Sequence, residues 1–272
     1  MRFVIISNRE RDAGYAAARQ VCEKLRSITG QTYEIFDYEQ HFIDGKGELM
    51  SVLPADSVIV ALGGDGTILH VAKHAALAGI PVLGVNVGRI GFLAGIESDE
   101  LESLSRLCTG DYQVKERMML DVSDGSKVYC VLNDAVVSKG ELARIIDINI
   151  LCNGRVISNY RADGIILSTP TGSTAYSLAA GGPIVDPTLE CIGVTPMCPH
   201  SLVSRAILFS PGSVITARAL VAEGGDAYLT IDGQEVIPIK SGQPVEVRRS
   251  SVLARLIRLK DVTFYEALGN KL

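Results

Sequence analysis

The sequence predicts an α/β domain with a parallel sheet, followed by an all-β, sandwich-like domain. Up to about residue 118, short apolar runs alternate with segments of helical spacing, and this alternation is typical of a parallel sheet covered by helices. Beyond that point the apolar runs are short and separated by Gly, Asn or Asp turns, which is typical of antiparallel sheets. A chain of 272 residues is long enough for both domains.

The elements of the first domain follow from the spacing of its apolar residues. Helical spacing over residues 16–27 predicts one helix. A second helix is expected to start near Thr67, as its capping residue, and to end at Gly79. The predicted strands are 3–6, 33–36, 57–62 and 81–85.

The second domain is predicted to consist almost entirely of strands, with one short helix at 175–180. We expect the first domain to cover residues 1–118, with 254–272 packing back on it, and the second to cover 119–253. A cleft between two such domains is a common place for a small-molecule site. The predicted strands are 120–122, 129–132, 147–151, 165–167, 214–217, 227–231, 236–237 and 245–247.

Charge and hydropathy exclude several classes of protein. A formal net charge of −5 argues against a protein that binds nucleic acid by bulk attraction to phosphate. The chain contains no apolar run near the roughly 20 residues that span a bilayer, and its N-terminus does not read as a signal peptide. We therefore expect a cytoplasmic protein with neither nucleic-acid nor membrane partners.

The cysteines and histidines indicate no metal site. Six cysteines occur without CxxC pairing, so we expect reduced, mostly buried thiols. His70 and His74 lie four residues apart, but the glutamate of a zinc-protease helix motif is missing.

A glycine-rich turn, Gly63-Gly64-Asp65-Gly66-Thr67, joins a predicted strand to a predicted helix. Glycines let backbone N–H groups approach a ligand closely, and helix N-termini attract phosphate. A carboxylate in such a turn repels phosphate unless it holds a cation or takes a proton from an attacking hydroxyl. The turn therefore favours phosphoryl transfer, although an ordinary loop in which Asp65 only caps the helix has the same sequence.

Two further segments carry polar groups suited to a nucleotide. The segment 161–177 starts with Arg161 and Asp163 and continues through a hydroxyl-rich turn to a short helix near Thr174, and its hydroxyls suit ribose and phosphate oxygens. Asn133-Asp134 offers an amide for an adenine edge and a carboxylate for ribose hydroxyls. A strand-to-helix cap and a plain Asn-Asp turn are the alternatives.

Together these segments resemble the NAD kinase family, whose fold is shared with diacylglycerol kinases. The resemblance extends from about residue 58 to 234 and is most specific in Thr169-Pro170-Thr171-Gly172-Ser173-Thr174-Ala175-Tyr176. The other matching pieces, in order, are 63–67, Asn86-Val87-Gly88-Arg89-Ile90-Gly91-Phe92-Leu93, Asn133-Asp134, 163–183, Pro199-His200-Ser201-Leu202 and Asp232-Gly233-Gln234.

The resemblance implies transfer of the terminal phosphoryl group of ATP to the 2′-hydroxyl of the adenosine ribose of NAD, an alcohol acceptor, giving NADP. It implies that Asp65 is the general base, and that Asn133 and Asp134 hold the adenosine. Further ligand-contact positions implied by the resemblance are Gly63, Gly64, Gly66, His70, Arg144, Arg161, Asp163, Thr174, Ala175, Tyr176, Ser177, Leu178, Ala179 and Gln234.

The resemblance also implies a divalent cation, magnesium or manganese, that arrives with ATP, and a homo-oligomer, a dimer or tetramer. The chain departs from the family in three places. Asp134 stands where the family usually has Glu, Ala206 follows Arg205 where proline is common, and Ser7-Asn8-Arg9 replaces the usual Asn-Pro. The last change weakens any assignment of function to the N-terminal loop.

Two alternatives come from other classes. A lipid kinase of the diacylglycerol type shares the glycine turn but should carry a membrane-facing patch, and the chain shows no basic amphipathic helix. The second alternative is a non-catalytic sensor that binds NAD or NADP without turnover. The presence of Asp65 argues against this alternative.

Overall fold

The computed structural model describes residues 2–44, 48–88, 91–140, 145–201, 204–221, 225–260 and 264–269. It divides into two compact units. The first unit is Met1–Arg117 together with Leu253–Leu272, and the second is Met118–Val252. The first is an α/β unit with a parallel sheet and the second is antiparallel β, so the predicted fold class is confirmed.

The elements up to residue 112 alternate between strand and helix, as predicted. A π-helical turn, Glu39–Asp44, and two 3₁₀ turns, Ala13–Tyr15 and Leu101–Ser103, lie between them. The strands are β1 (Arg2–Ser7), β2 (Ile35–Asp37), β3 (Ser57–Gly63), β4 (Val82–Asn86) and β5 (Ile96–Glu97), and the helices are α1 (Ala16–Thr29), α2 (Leu49–Val52), α3 (Asp65–Leu77) and α4 (Leu104–Thr109).

The remaining elements are almost all strands. One helix, α5 (Tyr176–Ala179), follows a 3₁₀ turn at Thr171–Thr174, and a last helix is α6 (Phe264–Gly269). The strands are β6 (Gln113–Ser123), β7 (Val128–Val131), β8 (Asp134–Lys139), β9 (Ile146–Cys152), β10 (Arg155–Ala162), β11 (Gly164–Ser168), β12 (Ile192–Met197), β13 (Ile207–Phe209), β14 (Ile215–Leu220), β15 (Ala227–Ile231), β16 (Glu235–Ile239) and β17 (Pro244–Arg258).

The parallel sheet of the first unit brings the ends of its strands to one edge. Its order is β2-β1-β3-β4, and Leu256 in the second half of β17 pairs with Val82 on the other side of β4. Ser7 pairs with Leu62, and Gly63 pairs with Asn86. The residues that follow β1, β3 and β4 therefore emerge side by side, at the edge where parallel sheets bind ligands.

The second unit is built from two antiparallel layers. One sheet has the order β13-β12-β11-β8-β15-β16, and the other contains β10-β9-β14 and the first half of β17. Apolar residues from both sheets, among them Val137, Ile148, Leu229 and Val247, form one buried cluster. Because this cluster fills the space between sheets, the unit is a sandwich.

Several predicted boundaries were wrong. Helix α3 begins at Asp65 with Gly64 as its cap, because the glycine already has the extended backbone that a cap needs, so Thr67 lies inside the first turn. Strands β8, β10, β12 and β13 were not predicted, and β17 runs for 15 residues where three were expected. The cysteines are free, as expected, but five are half-buried and Cys198 is exposed. Cys22 and Cys108 pack against the core of the first unit, and Cys152 packs against that of the second.

Asp12 anchors the loop between β1 and α1. Its carboxylate accepts hydrogen bonds from the N–H groups of Ala17 and Ala18 at 2.8 and 2.9 Å and from the Ser7 hydroxyl at 2.9 Å. The side chain is only 2% exposed. It satisfies helix N–H groups that have no partner within the helix, so it acts as a cap although it precedes the helix by several residues.

We expect Asp12→Ala to lower the free energy of unfolding by about 2 kcal/mol, the upper range for loss of a helix cap. Urea denaturation followed by circular dichroism measures this. Asp12→Asn keeps one acceptor oxygen and should lose less. Equal losses for the two variants would contradict a capping role.

Candidate functional site

The glycine turn lies at the carboxyl end of β3 and leads directly into α3. Gly63 is the last residue of the strand, Gly64 caps the helix, and Asp65 is the first helical residue. The first N–H groups of a helix have no intrahelical acceptor, and this 13-residue helix is long enough to carry a dipole. The turn therefore combines a carboxylate with an N-terminus that favours anions.

Main-chain N–H groups hold the carboxylate of Asp65 in place. Phe92 donates its N–H to Oδ2 at 2.7 Å, and Leu93 donates to Oδ1 at 3.1 Å. A Cβ atom at Gly91 would lie 1.9 Å from Oδ1, so a side chain at that position cannot coexist with this arrangement. The carboxylate is thus oriented toward the 91–93 segment and does not cap its own helix.

Arg258, the last residue of β17, binds the carbonyl groups of the segment that follows Gly91. Its guanidinium donates to the carbonyl of Phe92 at 2.7 Å and also to the carbonyl of Ala94. Burial lowers the pKa of Arg258, and the charge of Asp65 opposes this shift. A half-buried cation therefore lies close to Asp65 and holds the segment whose N–H groups bind the Asp65 carboxylate.

Asn8 in the N-terminal loop also supports the turn. Its Nδ2 donates to Thr67 Oγ1 at 2.9 Å, and its backbone N–H donates to the carbonyl of Leu62 at 3.1 Å. The Thr67 side chain lies against Gly63, where a Cβ atom would come within 2.7 Å. No role was predicted for this loop from the sequence, but the pairing of β1 with β3 brings it next to the glycine turn.

His70 lies in an aromatic cluster of the first unit. Its Nδ1 is 2.8 Å from the Tyr38 hydroxyl and its Nε2 is 3.1 Å from Nε2 of His74. Phe42 contacts both histidine rings. Burial, with His74 and Lys73 nearby, lowers the pKa of His70 to about 3, so this ring is neutral at physiological pH.

The second unit contains a pocket of about 400 Å³. This volume lies in the range for small-molecule sites. Of the predicted contact residues, Asn133, Asp134, Ala175 and Tyr176 line it. The full lining is Asn133, Asp134, Val136, Ser138, Ala175, Tyr176, Met197, Thr230, Asp232 and Gly233.

Two carboxyl groups lie together in this pocket. Asp134 is 5% exposed and Asp232 is 8% exposed. Burial, and then the charge of Asp232, raises the pKa of Asp134 to about 7. Asp134 therefore titrates in the physiological pH range. Asp232 was not among the predicted site residues, although Asp232-Gly233-Gln234 was one of the segments that matched the family.

The hydroxyl-rich turn uses its side chains to hold itself together. Thr169 Oγ1 donates to the carbonyl of Leu132 at 2.6 Å and Ser173 Oγ donates to the carbonyl of Pro170 at 2.7 Å. Thr174 donates to Thr171 at 3.2 Å. Helix α5 has only four residues, so few peptide dipoles align there and its N-terminus adds little affinity for an anion.

The helix itself presents both buried and exposed side chains. Ser177 is buried, with its hydroxyl 2.9 Å from that of Thr195. Leu178 is half-buried, and Tyr176 and Ala179 are exposed.

The remaining predicted contact residues lie outside the pocket lining. Arg161 is exposed on β10. Asp163 forms an ion pair with Lys139 at 2.7 Å. Gln234 is exposed in the turn after β15. Arg144 lies outside the described residues.

Comparison with known proteins identifies the family. The model of the ATP-NAD kinase N-terminal domain matches residues 50–112, and that of the C-terminal domain matches residues 132–259. The chain is 44% identical over 245 residues to an NAD kinase from Geobacter sulfurreducens, covering 86% of each chain. It is 45% identical over 231 residues to one from Heliobacterium modesticaldum, covering 83% of this chain and 81% of the relative.

The chain belongs to the NAD kinase family. The family and the kinase activity predicted from the sequence are thereby confirmed.

Solved structures show the same fold. A crystal structure of an NAD kinase from Archaeoglobus fulgidus in complex with ATP has a TM-score of 0.76 at 24% identity, covering 100% of this chain and 98% of that one. The structure of yeast NADH kinase with NADH gives 0.78 at 22% identity, covering 100% and 87%. Within the described part of the chain, no helix is long and apolar enough to cross a membrane.

We expect Gly91→Ala to remove most NAD kinase activity, because the added methyl group would displace the Asp65 carboxylate. Steady-state turnover measures this. The matched control is Gly269→Ala, where a Cβ atom meets nothing within 4 Å. An active Gly91→Ala enzyme would show that the arrangement of Asp65 with the 91–93 segment is dispensable.

We expect Asp134→Asn to stabilise the protein above pH 7. The folded-state pKa of about 7 exceeds the unfolded value, so the folded chain binds more protons, and stability falls as pH rises from about 4 to 7. A shift of this size corresponds to at most about 4 kcal/mol. Asn is neutral at all pH values, so its melting temperature at pH 8 should exceed that of the wild type. The gain should vanish at pH 4, and a gain that is equal at both pH values would contradict this account.

Proposed function

We propose that the chain transfers the terminal phosphoryl group of ATP to the 2′-hydroxyl of the adenosine ribose of NAD, forming NADP. The observation that most directly supports this is the fixed carboxylate of Asp65 at the start of α3. Phosphoryl transfer depends on positioning and charge neutralisation more than on covalent participation. A carboxylate that its surroundings orient suits the task of receiving one proton.

Asp65 is the proposed general base. The ribose oxygen forms a bond to the γ-phosphorus, the bond from that phosphorus to the β–γ bridging oxygen breaks, and ADP leaves. The hydroxyl proton passes to Asp65. A carboxylate has about four acceptor positions, and Asp65 uses two of them to bind the N–H groups of Phe92 and Leu93.

The phosphates of ATP are proposed to bind at the glycine turn. Gly63, Gly64 and Gly66 bring backbone N–H groups to one place, and the N-terminus of α3 favours anions. Gly66 is exposed and a Cβ atom there meets nothing within 4 Å. The turn is therefore open on the side from which a ligand can approach.

The adenosine part of NAD is proposed to bind in the pocket of the second unit. The Asn133 amide suits the adenine edge, and the Asp134 carboxyl suits a ribose hydroxyl. The pocket's volume of about 400 Å³ suits a nucleoside. His70, Arg161, Asp163, Gln234 and the residues 174–179 stay predicted ligand contacts, as does Arg144.

A divalent cation, magnesium or manganese, is proposed to arrive with ATP. Among the described residues, no group of three or more His, Cys, Asp or Glu side chains is placed to hold a metal ion. Magnesium usually keeps several waters and binds through substrate phosphates. The homo-oligomer and the cytoplasmic location also stay predictions, and light scattering tests the first.

The proposed reaction is tested by incubating the protein with ATP, magnesium and NAD and coupling the product to an NADP-specific dehydrogenase. NADP should accumulate in proportion to enzyme. A parallel incubation with diglyceride vesicles should give no phosphorylated lipid. Lipid phosphorylation without NADP would favour the lipid kinase, and NAD binding without either product would favour the sensor.

We expect Asp65→Asn to lower kcat by about 10²–10⁴-fold, the usual contribution of a positioned base. NAD affinity, measured by isothermal titration calorimetry, should largely survive. The matched control is Asp99→Asn, which removes an exposed carboxylate of the same unit and should leave kcat unchanged. Near-full activity of Asp65→Asn would show that the base assignment is wrong.

A further inference from the structure

We propose that Asp232 is a positioning residue for NAD: its carboxylate fixes the turn 132–134, which presents Asn133 and Asp134 to the adenosine. The inference rests on the proposed function, because it assumes that the pocket of the second unit receives the adenosine. It adds a role for a residue in the turn between β15 and β16, far from Asn133 in the sequence.

The carboxylate of Asp232 accepts three main-chain hydrogen bonds. Oδ1 accepts from the N–H groups of Asn133 at 2.8 Å and Asp134 at 3.2 Å, and Oδ2 accepts from Leu132 at 3.2 Å. In return, the N–H of Asp232 donates to the carbonyl of Asp134 at 2.9 Å. One buried side chain therefore fixes three consecutive peptide groups, which is more than an aspartate in an ordinary hairpin turn does.

Thr169 holds the carbonyl groups of the same turn. Its hydroxyl donates to the carbonyl of Leu132 at 2.6 Å, and its N–H donates to the carbonyl of Asn133 at 2.9 Å. Gly172 packs so closely that a Cβ atom would lie 2.1 Å from the Asn133 oxygen. With its N–H groups bound by the Asp232 carboxylate and the carbonyls of Leu132 and Asn133 bound by Thr169, the backbone of the turn is held from both sides.

This arrangement places a negative charge beside Asp134, although burial already disfavours ionisation there. Simple turn formation does not explain it, because an exposed carboxylate or an asparagine would serve a hairpin equally well. The backbone of Asp232 has a positive φ of 48°, which is uncommon outside glycine and costs conformational energy. The hydrogen bonds from the 132–134 turn to the Asp232 carboxylate offset this conformational energy.

The first test is Asp232→Asn in the complete enzyme. The amide keeps one acceptor oxygen and turns an NH₂ group toward the N–H of Leu132. We expect KM for NAD to rise about tenfold, the size of one lost charge-assisted hydrogen bond, with kcat changed less than about threefold. Asp226→Asn removes an exposed carboxylate of the same hairpin and should change neither constant.

The pH profile separates positioning from general damage. Asp134 shares the pocket with two titratable groups, Asp232 and Tyr176. In the wild type, NAD binding through the Asp134 carboxylate should strengthen as pH rises through about 7. Asp232→Asn removes the adjacent charge, so the midpoint should move to lower pH. Weaker binding with an unmoved midpoint, or a loss of kcat at unchanged KM, would overturn the inference.

Thr169→Val is the second variant. It tests whether the fixed 132–134 turn is needed for NAD binding, even if Asp232→Asn does not fold. It keeps the shape of a side chain that is 1% exposed but removes the hydroxyl that bonds the Leu132 carbonyl. KM for NAD should rise while kcat persists, and an unchanged KM overturns the inference. A wild-type enzyme that forms no NADP would instead refute the proposed function, so the two failures are distinguishable.

Discussion

The hydrogen bonds from Phe92 and Leu93 to the Asp65 carboxylate are the constraint on which the first unit's site depends. They join the start of α3 to the segment that follows β4, and they require a residue without a side chain at Gly91. Arg258 then holds the carbonyl side of the same segment. Besides its proposed role as the general base, the Asp65 carboxylate therefore organises the backbone around it.

The second unit uses the same device with a different carboxylate. Asp232 binds three consecutive N–H groups, while Thr169 binds the carbonyls of that turn. In each unit, therefore, an aspartate carboxylate binds the main-chain N–H groups of a loop from another part of the chain. Buried polar groups need partners, and loops that must keep one conformation supply them.

The sequence predicted best those features of the fold and the candidate site that depend on a short, continuous stretch of residues. The glycine turn at the end of β3, the segment 161–177 and the α/β-to-β change were all visible, since each depends on spacing within a short stretch. The supports were not: Asn8, Asp232 and Arg258 act on residues 59, 98–100 and 164–166 positions away, and no periodicity reports such contacts. Strand β8 was also missed, because its buried residues follow no alternation.

The split of the first unit along the chain has a consequence for biosynthesis. Residues Met118–Val252 form the second unit without interruption, whereas the first unit needs the segment that begins at Leu253. Domains tend to fold as they leave the ribosome, N-terminal parts first. In this protein, all residues of the second unit are synthesised before Arg258, whose guanidinium holds the segment that binds Asp65. The surroundings of Asp65 are therefore complete only after residue 258 has been synthesised, which is later than the whole of the second unit.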